Sequence, residues 1–338
     1  MKGKLISVLK VIIPLGLGIF VIWYQFKQLT TEQLDQISES FASANYFWVV
    51  LSVVFGVLSH LSRAWRWKYT LEPLGYENKF MNNFFGVMIG YVTNIVLPRF
   101  GEVWRCVMVA RYEKATFEKL FGTVVAERVA DLIVLLLIVA GVVVMQIARL
   151  RDSLNELLEG FLAKNSLEGL LLKGGLLAMV GVVGAVVGWR ILTKSDNAII
   201  AKIRGLINGL VDGVLSILRM KRKWAFLGHT AFIWIMYLAM FYVPFLALPE
   251  TSAASPGAVA ASFVMASFSI VLVQGGIGVY PVAVATTLAL PGYDIAYEAG
   301  FAMGWIIWVA QTLMIVTFGV GSLVLMPLVN QEPLEESN

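Results

Sequence analysis

The sequence has few charged residues: Asp, Glu, Lys and Arg make up 14% of the chain, against about 25% in an ordinary soluble domain. Hydrophobic residues account for 59%, and the mean hydropathy is +0.79. The apolar residues form blocks of about 20, the length of helix that crosses a bilayer core of about 30 Å. The composition excludes an ordinary soluble domain and predicts an all-α polytopic membrane protein.

Residues that carry common catalytic chemistry are scarce. The single cysteine, Cys106, cannot form an internal disulfide, and His60 and His229 have no metal-ligand spacing. We find no nucleotide-binding motif, no Asp-x-Asp metal motif, no catalytic His–Asp pair and no long loop. The sequence therefore predicts that the protein binds no metal and no cofactor and that it is not an enzyme. The net charge of +4 reflects membrane topology and does not indicate nucleic-acid binding.

Six apolar blocks are predicted to be spanning helices, the first being a retained helix and not a cleaved signal peptide. They are 5–24, 45–63, 120–147, 170–192, 225–248 and 300–327. Two further apolar regions are interrupted by glycine and proline. Region 84–110 is broken at Pro98 and Gly101, and region 257–290 is broken by QGGIGVYP, from Gln274 to Pro281.

The distribution of Lys and Arg orients these segments. Basic segments 63–80, 111–119 and 193–224 are predicted to be cytoplasmic, and the more acidic segments 25–44 and 149–168 to lie outside. Each broken region then begins and ends on one side, so both are predicted to be re-entrant hairpins. Both termini fall in the cytoplasm, in what we expect to be the bacterial cytoplasmic membrane.

The result is an inverted-topology repeat within a single membrane domain, 1–330. The first repeat covers about 1–148 and the second about 168–328, followed by an acidic tail at 331–338. Paired broken segments at matching places in two halves indicate a midplane binding site in transporter folds. The alternative is that both breaks are ordinary kinks in full-length spans. Segment 197–218 has a helical apolar stripe and is predicted to be amphipathic and cytoplasmic.

The first break contains LPRFGEVWR, in which Arg99, Glu102 and Arg105 lie three residues apart. Embedded charges are costly, on the order of 2.5–3.5 kcal/mol each at the centre of a spanning helix, and mark functional sites by default. The next apolar block contains a second charged cluster, AERVAD. Its members are Glu127, Arg128 and Asp131.

These six residues are predicted to form one buried network of three bases and three acids, formally neutral. Such a network can bind an anionic headgroup by exchanging a carboxylate for a phosphate, and arginine suits bidentate exchange. The alternative is that the network only joins the hairpin to its neighbour, as buried ion pairs often do.

The second break carries no charge. Its glycines expose backbone N–H groups, and a helix that begins there would favour an anion. Gln274 and Tyr280 add hydrogen-bonding side chains, so both join the predicted substrate site. Glycine-rich bends also serve close helix packing, which is the competing interpretation.

Five stretches together resemble the transmembrane superfamily of lysylphosphatidylglycerol synthetases and their stand-alone, flippase-like relatives. They are RAWRWKYTLEPLG, IGYVTNIVLPRFGEVWR, FGTVVAERVADL, QGGIGVYP and GWIIWVAQT. Gln274 stands where proline is commoner in the family. The resemblance implies lipid translocation or lipid binding, and the absence of a synthetase domain after the last helix argues against aminoacyl transfer.

Three functions remain open at this stage. The first is a flippase-like transporter for an anionic or polyprenyl-phosphate-linked lipid. The lipid would move passively or in a step coupled to an ion, in which case Glu127 or Asp131 could carry a proton. The second is a membrane enzyme or accessory subunit in lipid-linked glycosyl transfer. The third is a membrane partner of a separately encoded lipid-modifying enzyme. A phosphate-bearing membrane lipid is the expected partner.

Overall fold

The computed structural model describes residues 16, 19–97, 100–147, 217 and 220–330. The chain divides into two units, one of Met1–Leu135 with Arg219–Asn338 and the other of Leu136–Leu218. All contacts reported below lie within the first unit. Predicted spans 5–24 (in large part) and 170–192, segment 197–218 and tail 331–338 lie outside the described residues, so the inverted repeat stays a prediction.

The described part of the chain is helical and contains no β-strand. The described α-helices of ten or more residues are α1 Thr31–Ser43, α2 Tyr46–Leu71, α3 Phe80–Val96, α4 Gly101–Ala110, α5 Phe117–Met145, α6 Lys223–Tyr242, α7 Pro256–Leu272, α8 Val279–Leu288 and α9 Tyr297–Val329. Within the described residues, four helical segments are long and apolar enough to cross a membrane: Tyr46–Leu74, Phe117–Met145, Lys223–Ala247 and Tyr297–Val329. They coincide with four of the predicted spans and confirm an all-α polytopic membrane protein.

Helices α3 and α4 form an antiparallel pair on either side of the first predicted break. A side chain on Gly101 would collide with the carbonyl oxygen of Gly90, and one on Gly86 would collide with Val109. Glycine is required here because the two backbones approach closely. The Asn94 carboxamide oxygen accepts the Gly101 N–H at 2.7 Å, which satisfies a donor left free where α4 begins.

The second predicted break separates α7 from α8. Gly275, Gly276 and Gly278 all have positive φ values, 65°, 68° and 73°, a conformation that glycine adopts without steric cost. Helix α8 then packs antiparallel to α9: a Cβ on Gly304 would lie 2.6 Å from the Cα of Pro281. Both breaks therefore lie where glycine and proline predicted them, although the re-entrant assignment stays a prediction.

Segment 25–44, interpreted from its charge as an external connection, contains helix α1. A capping box starts this helix, because the side chain of Thr30 and that of Gln33 each accept the other's backbone N–H. Gln33 Nε2 also donates to Glu298 Oε1 at 2.6 Å and thereby ties α1 to α9. The charge count predicts on which side of the membrane this segment lies, but it does not predict that the segment is helical.

The prediction for segment 63–80 needs correction. The helix expected to end near residue 63 continues to Leu71, and Arg63 and Arg66, interpreted as loop charges, are buried. Both arginines pair with the carboxylate of Asp131, Arg63 through Oδ2 and Arg66 through Oδ1. A buried arginine is tolerated when a carboxylate pairs with it.

A pair of buried amide hydrogen bonds joins the start of α3 to the end of α9. Asn82 and Asn330 each donate their amide N–H to the other's carboxamide oxygen, at 3.1 and 2.7 Å. Asn82 Nδ2 also donates to Glu113 Oε1, at 2.7 Å. These contacts fix the base of the α3–α4 pair against the last helix.

Candidate functional site

Seven charged side chains meet in the first unit, and they come from α2, from α5 and from α4 of the broken hairpin. We call them the charged network: Arg63 and Arg66 of α2, Glu102 and Arg105 of α4, and Glu127, Arg128 and Asp131 of α5. Four arginines face three carboxylates, which leaves one formal positive charge. This count covers the described residues, so it leaves out Arg99, and it includes Arg63 and Arg66, which the predicted network of six did not contain.

Asp131 is the most heavily paired acid. Its carboxylate lies 2.6 Å from Arg63 Nη1 and 2.8 Å from Arg66 Nη1, with Arg128 Nη1 at 3.5 Å. Such charge-assisted contacts are about twice as strong as neutral hydrogen bonds. This acid therefore holds α2 and α5 together, and the three arginines stabilise its charged form.

Glu127 lies deeper, with 1% of its side chain exposed. Its Oε2 accepts a hydrogen bond from Arg105 Nη1 at 3.2 Å. Its Oε1 lies 3.5 Å from Arg66 Nε, an ion-pair distance at which no hydrogen bond forms. Glu127 thus links α5 to both α2 and the broken hairpin.

Glu102 and Arg128 form the outer pair of the network. Glu102 Oε1 lies 3.1 Å from Arg128 Nη2, with 27% and 39% of the two side chains exposed. Asn94 Nδ2 donates weakly to Glu102 Oε2, at 3.4 Å. This pair is the most accessible part of the network.

Trp67 fixes the orientation of Arg105. The centre of the Arg105 guanidinium lies 3.6 Å from the centroid of the Trp67 ring, and Trp67 Nε1 donates to Thr123 Oγ1 at 2.8 Å. Stacking on an aromatic face is an arginine property that lysine does not reproduce. The plane of the guanidinium is therefore set before any ligand arrives.

Several guanidinium nitrogens of the network are buried without a hydrogen-bond partner among the described residues. They are Nε of Arg63, Arg66, Arg105 and Arg128, and Nη2 of Arg66 and Arg105. Buried polar groups are nearly always hydrogen-bonded, so each exception needs an explanation. Unused donors on positively charged groups suit an anion.

A cleft opens onto the network where the hairpin is broken. Its volume is about 10 Å³, enough space for about one water molecule. The lining residues are Val87, Gly90, Tyr91, Asn94, Gly101, Glu102, Arg105 and Arg128. A larger anion therefore enters only if a side chain of the lining moves.

Gln274, in the second break, contacts the backbone at the first break. Its Nε2 donates to the backbone carbonyls of Asn94 and Ile95, at 3.2 and 2.8 Å. These carbonyls lie at the end of α3, where no further helical turn satisfies them. Trp308 Nε1 of α9 donates to Gly275 O at 2.7 Å, which holds the glycine-rich bend in place.

The structure brings together five of the eight residues in the predicted site: Glu102, Arg105, Glu127, Arg128 and Asp131. Gln274 contacts the backbone beside the cleft. Tyr280 is buried in α8, and among the described residues no hydrogen bond or ion pair joins it to the network. Arg99 lies outside the described residues.

Sequence reasoning missed Arg63, Arg66, Trp67 and Asn94. The first three occur in RAWRW, where two arginines three residues apart share a helix face. That spacing was available in the sequence but was interpreted as a topology signal. Asn94, a single polar residue near the end of an apolar run, gave a weaker signal.

Fold and site together define a polytopic, all-α membrane protein with a buried arginine–carboxylate network beside a broken hairpin. The chain belongs to the family described as the lysylphosphatidylglycerol synthase TM region, whose sequence profile matches residues 11–321. The resemblance identified from the motifs is thereby confirmed.

A curated relative is the UPF0104 membrane protein MJ1595 of Methanocaldococcus jannaschii. It is 32% identical over 101 residues, which cover 29% of this chain and 30% of that protein. The similarity thus spans under a third of the relative's length. No solved structure matches the chain.

Proposed function

We propose that this protein binds the phosphate group of a membrane lipid at the charged network and moves that lipid across the membrane. The observation that carries the proposal is the set of buried guanidinium nitrogens without partners, above all Nε and Nη2 of Arg105. Phosphate oxygens are suited to these donors because arginine binds them bidentately. The lipid is expected to be anionic or linked to a polyprenyl phosphate, and the membrane to be the bacterial cytoplasmic membrane.

The position of the site supports transport over simple anchoring. The cleft lies where α3 ends at Val96 and α4 begins at Gly101. Broken helices in transporter folds place backbone ends and charges at a substrate site. Family membership supports a membrane role, and we extend it here to lipid translocation.

We propose a transporter and not an enzyme because the embedded acids are already engaged. Asp131 contacts three arginines and Glu127 contacts two. Both carboxylates are thus held in ion pairs that join α5 to its neighbours. A proton-carrying role for Glu127 or Asp131 stays a prediction.

The test is mass spectrometry of lipids that co-purify with the wild type, Arg105→Ala and a control, Arg111→Ala. Arg111 is exposed and close to Arg105 in sequence. We expect one phosphate-bearing lipid to be enriched with the wild type and the control but lost with Arg105→Ala. Bulk membrane lipid in all three samples would contradict the proposal and favour a structural network or a partner-protein role.

A further inference from the structure

We infer that Glu102 is an internal substitute for the ligand: its carboxylate occupies Arg128 and the cleft until a phosphate group displaces it. The inference rests on the proposed function and assigns a role to one residue of that site. It concerns which of the three network acids exchanges with the ligand.

The three carboxylates of the network are held very differently. Among the described residues, Asp131 contacts three arginines and Glu127 contacts two, whereas Glu102 contacts one, Arg128, at 3.1 Å. The only other polar contact of the Glu102 side chain within the described residues is the 3.4 Å contact with Asn94. Glu102 therefore has the fewest interactions to lose on moving.

Exposure supports the same assignment. Glu102 has 27% of its side chain exposed, against 10% for Asp131 and 1% for Glu127. A carboxylate that leaves an ion pair needs water or another cation, because an isolated buried charge is very costly. Of the three acids, Glu102 reaches water most easily.

The cleft requires a displacement. Both Glu102 and Arg128 line it, and its volume of about 10 Å³ has space for about one water molecule. A phosphate group near Arg128 and Arg105 would also place two anions side by side, which is unfavourable. Outward movement of Glu102 provides space, frees Arg128 and removes that repulsion.

The neighbouring surface favours a lipid as the source of the phosphate. Phe100 and Trp104, on either side of Glu102 in sequence, are 41% and 38% exposed, and their ring centroids lie 6.3 Å apart. Exposed aromatic rings suit contact with lipid at the headgroup level of the membrane. A free phosphate ion offers the same headgroup chemistry without that contact.

Carboxylate footprinting of the wild-type protein is the direct test. A carbodiimide with glycine ethyl ester labels exposed carboxylates, with dioctanoyl phosphatidylglycerol, farnesyl phosphate, inorganic phosphate or dioctanoylglycerol added in separate samples. We expect labelling of Glu102 to rise with a phosphate-bearing lipid and not with dioctanoylglycerol. Labelling of the exposed Glu118 serves as the internal control and should stay constant.

The separate samples distinguish the two sources of phosphate. A rise with lipid alone means that the chains are needed, and a rise with inorganic phosphate as well means that the phosphate group suffices. Either result supports displacement of Glu102. Unchanged or reduced labelling with every phosphate compound would overturn the inference.

A matched pair of variants gives a second test. Glu102→Gln keeps the shape of the side chain but removes the charge that competes with the phosphate group. Because one partly buried repulsion is then absent, lipid affinity in native mass spectrometry should rise by about tenfold. Glu118→Gln should bind like the wild type. Weaker or equal binding by Glu102→Gln would overturn the inference.

Failure of this inference is distinguishable from failure of the proposed function. If the lipid binds the wild type and is lost in Arg105→Ala, but Glu102 neither gains label nor affects affinity, only the role of Glu102 is wrong. If neither lipid binds the wild type or Glu102→Gln, both proposals are wrong.

Discussion

The guanidinium carbon of Arg105 lies over the ring of Trp67, 3.6 Å from the ring centroid, while Nη1 donates to Glu127. One face of the cation and one of its edges are thereby occupied by the protein. The remaining nitrogens, Nε and Nη2, have no partner among the described residues. This relationship makes Arg105 a preoriented donor, and the first two predictions follow from it.

Replacing Trp67 with Leu removes the stacking surface but keeps an apolar side chain. The Arg105 plane is then no longer fixed, and we expect binding of dioctanoyl phosphatidylglycerol to weaken by about 3- to 30-fold, the size of a desolvated cation–π contact. Native mass spectrometry measures the change. The control is Trp65→Leu, because Trp65 is half exposed on the same helix; equal binding by the two variants would contradict the role of Trp67.

Replacing Arg105 with Lys keeps the charge and loses the planar fork. We expect lipid affinity to fall by about 10- to 100-fold, since hydrogen bonds to charged groups contribute about 1.5–3 kcal/mol. The affinity is measured as for Trp67→Leu, with Arg111→Lys as the matched control. Full binding with lysine would mean that only the charge matters and that bidentate contact is absent.

Replacing Asp131 with Ala leaves Arg63 and Arg66 buried without their shared acid. Removing one member of a buried pair costs about 3–5 kcal/mol, so the unfolding temperature in detergent should fall markedly. The matched control is Asp35→Ala, because Asp35 is exposed on α1 and should leave the temperature nearly unchanged. A wild-type unfolding temperature for Asp131→Ala would show that the network does not stabilise the helices.

Replacing Gln274 with Glu removes the amide that donates to the carbonyls of Asn94 and Ile95. An unsatisfied buried polar group costs about 1–3 kcal/mol; these carbonyl contacts are part-buried, so a smaller loss is expected and the end of α3 should open more often. Hydrogen exchange of peptides covering 91–97 is expected to be faster than in the wild type. Gln36→Glu, on the exposed face of α1, is the control, and identical exchange in all three proteins would contradict the contact.

Apolar block length and the Gly/Pro breaks were enough to predict the long helices and the two interruptions. The blocks near 45, 120, 225 and 300 form α2, α5, α6 and α9, because a helix satisfies all its backbone hydrogen bonds within one segment where lipid offers none. Helix α1 was missed because charge counts reveal orientation but not capping, although Thr30 and Gln33 form a recognisable capping box.

The composition of the charged network was predictable only in part. Glu102, Arg105, Glu127, Arg128 and Asp131 stood out because charges in an apolar block are costly. Arg63 and Arg66 sit at the end of an apolar block, where a basic residue usually marks the cytoplasmic side. Their burial depends on Asp131, which lies 68 and 65 residues away, and no local pattern predicts a pairing over that distance.

The most direct test of the central claim is a translocation assay in proteoliposomes. Fluorescent phosphatidylglycerol or a fluorescent short-chain polyprenyl phosphate is incorporated, and the fraction quenched by external dithionite is followed over time. The account predicts that the wild type and Arg111→Ala expose one of these lipids faster than protein-free liposomes, and that Arg105→Ala does not. Equal rates with Arg105→Ala and the wild type, or no acceleration of either lipid, would contradict it.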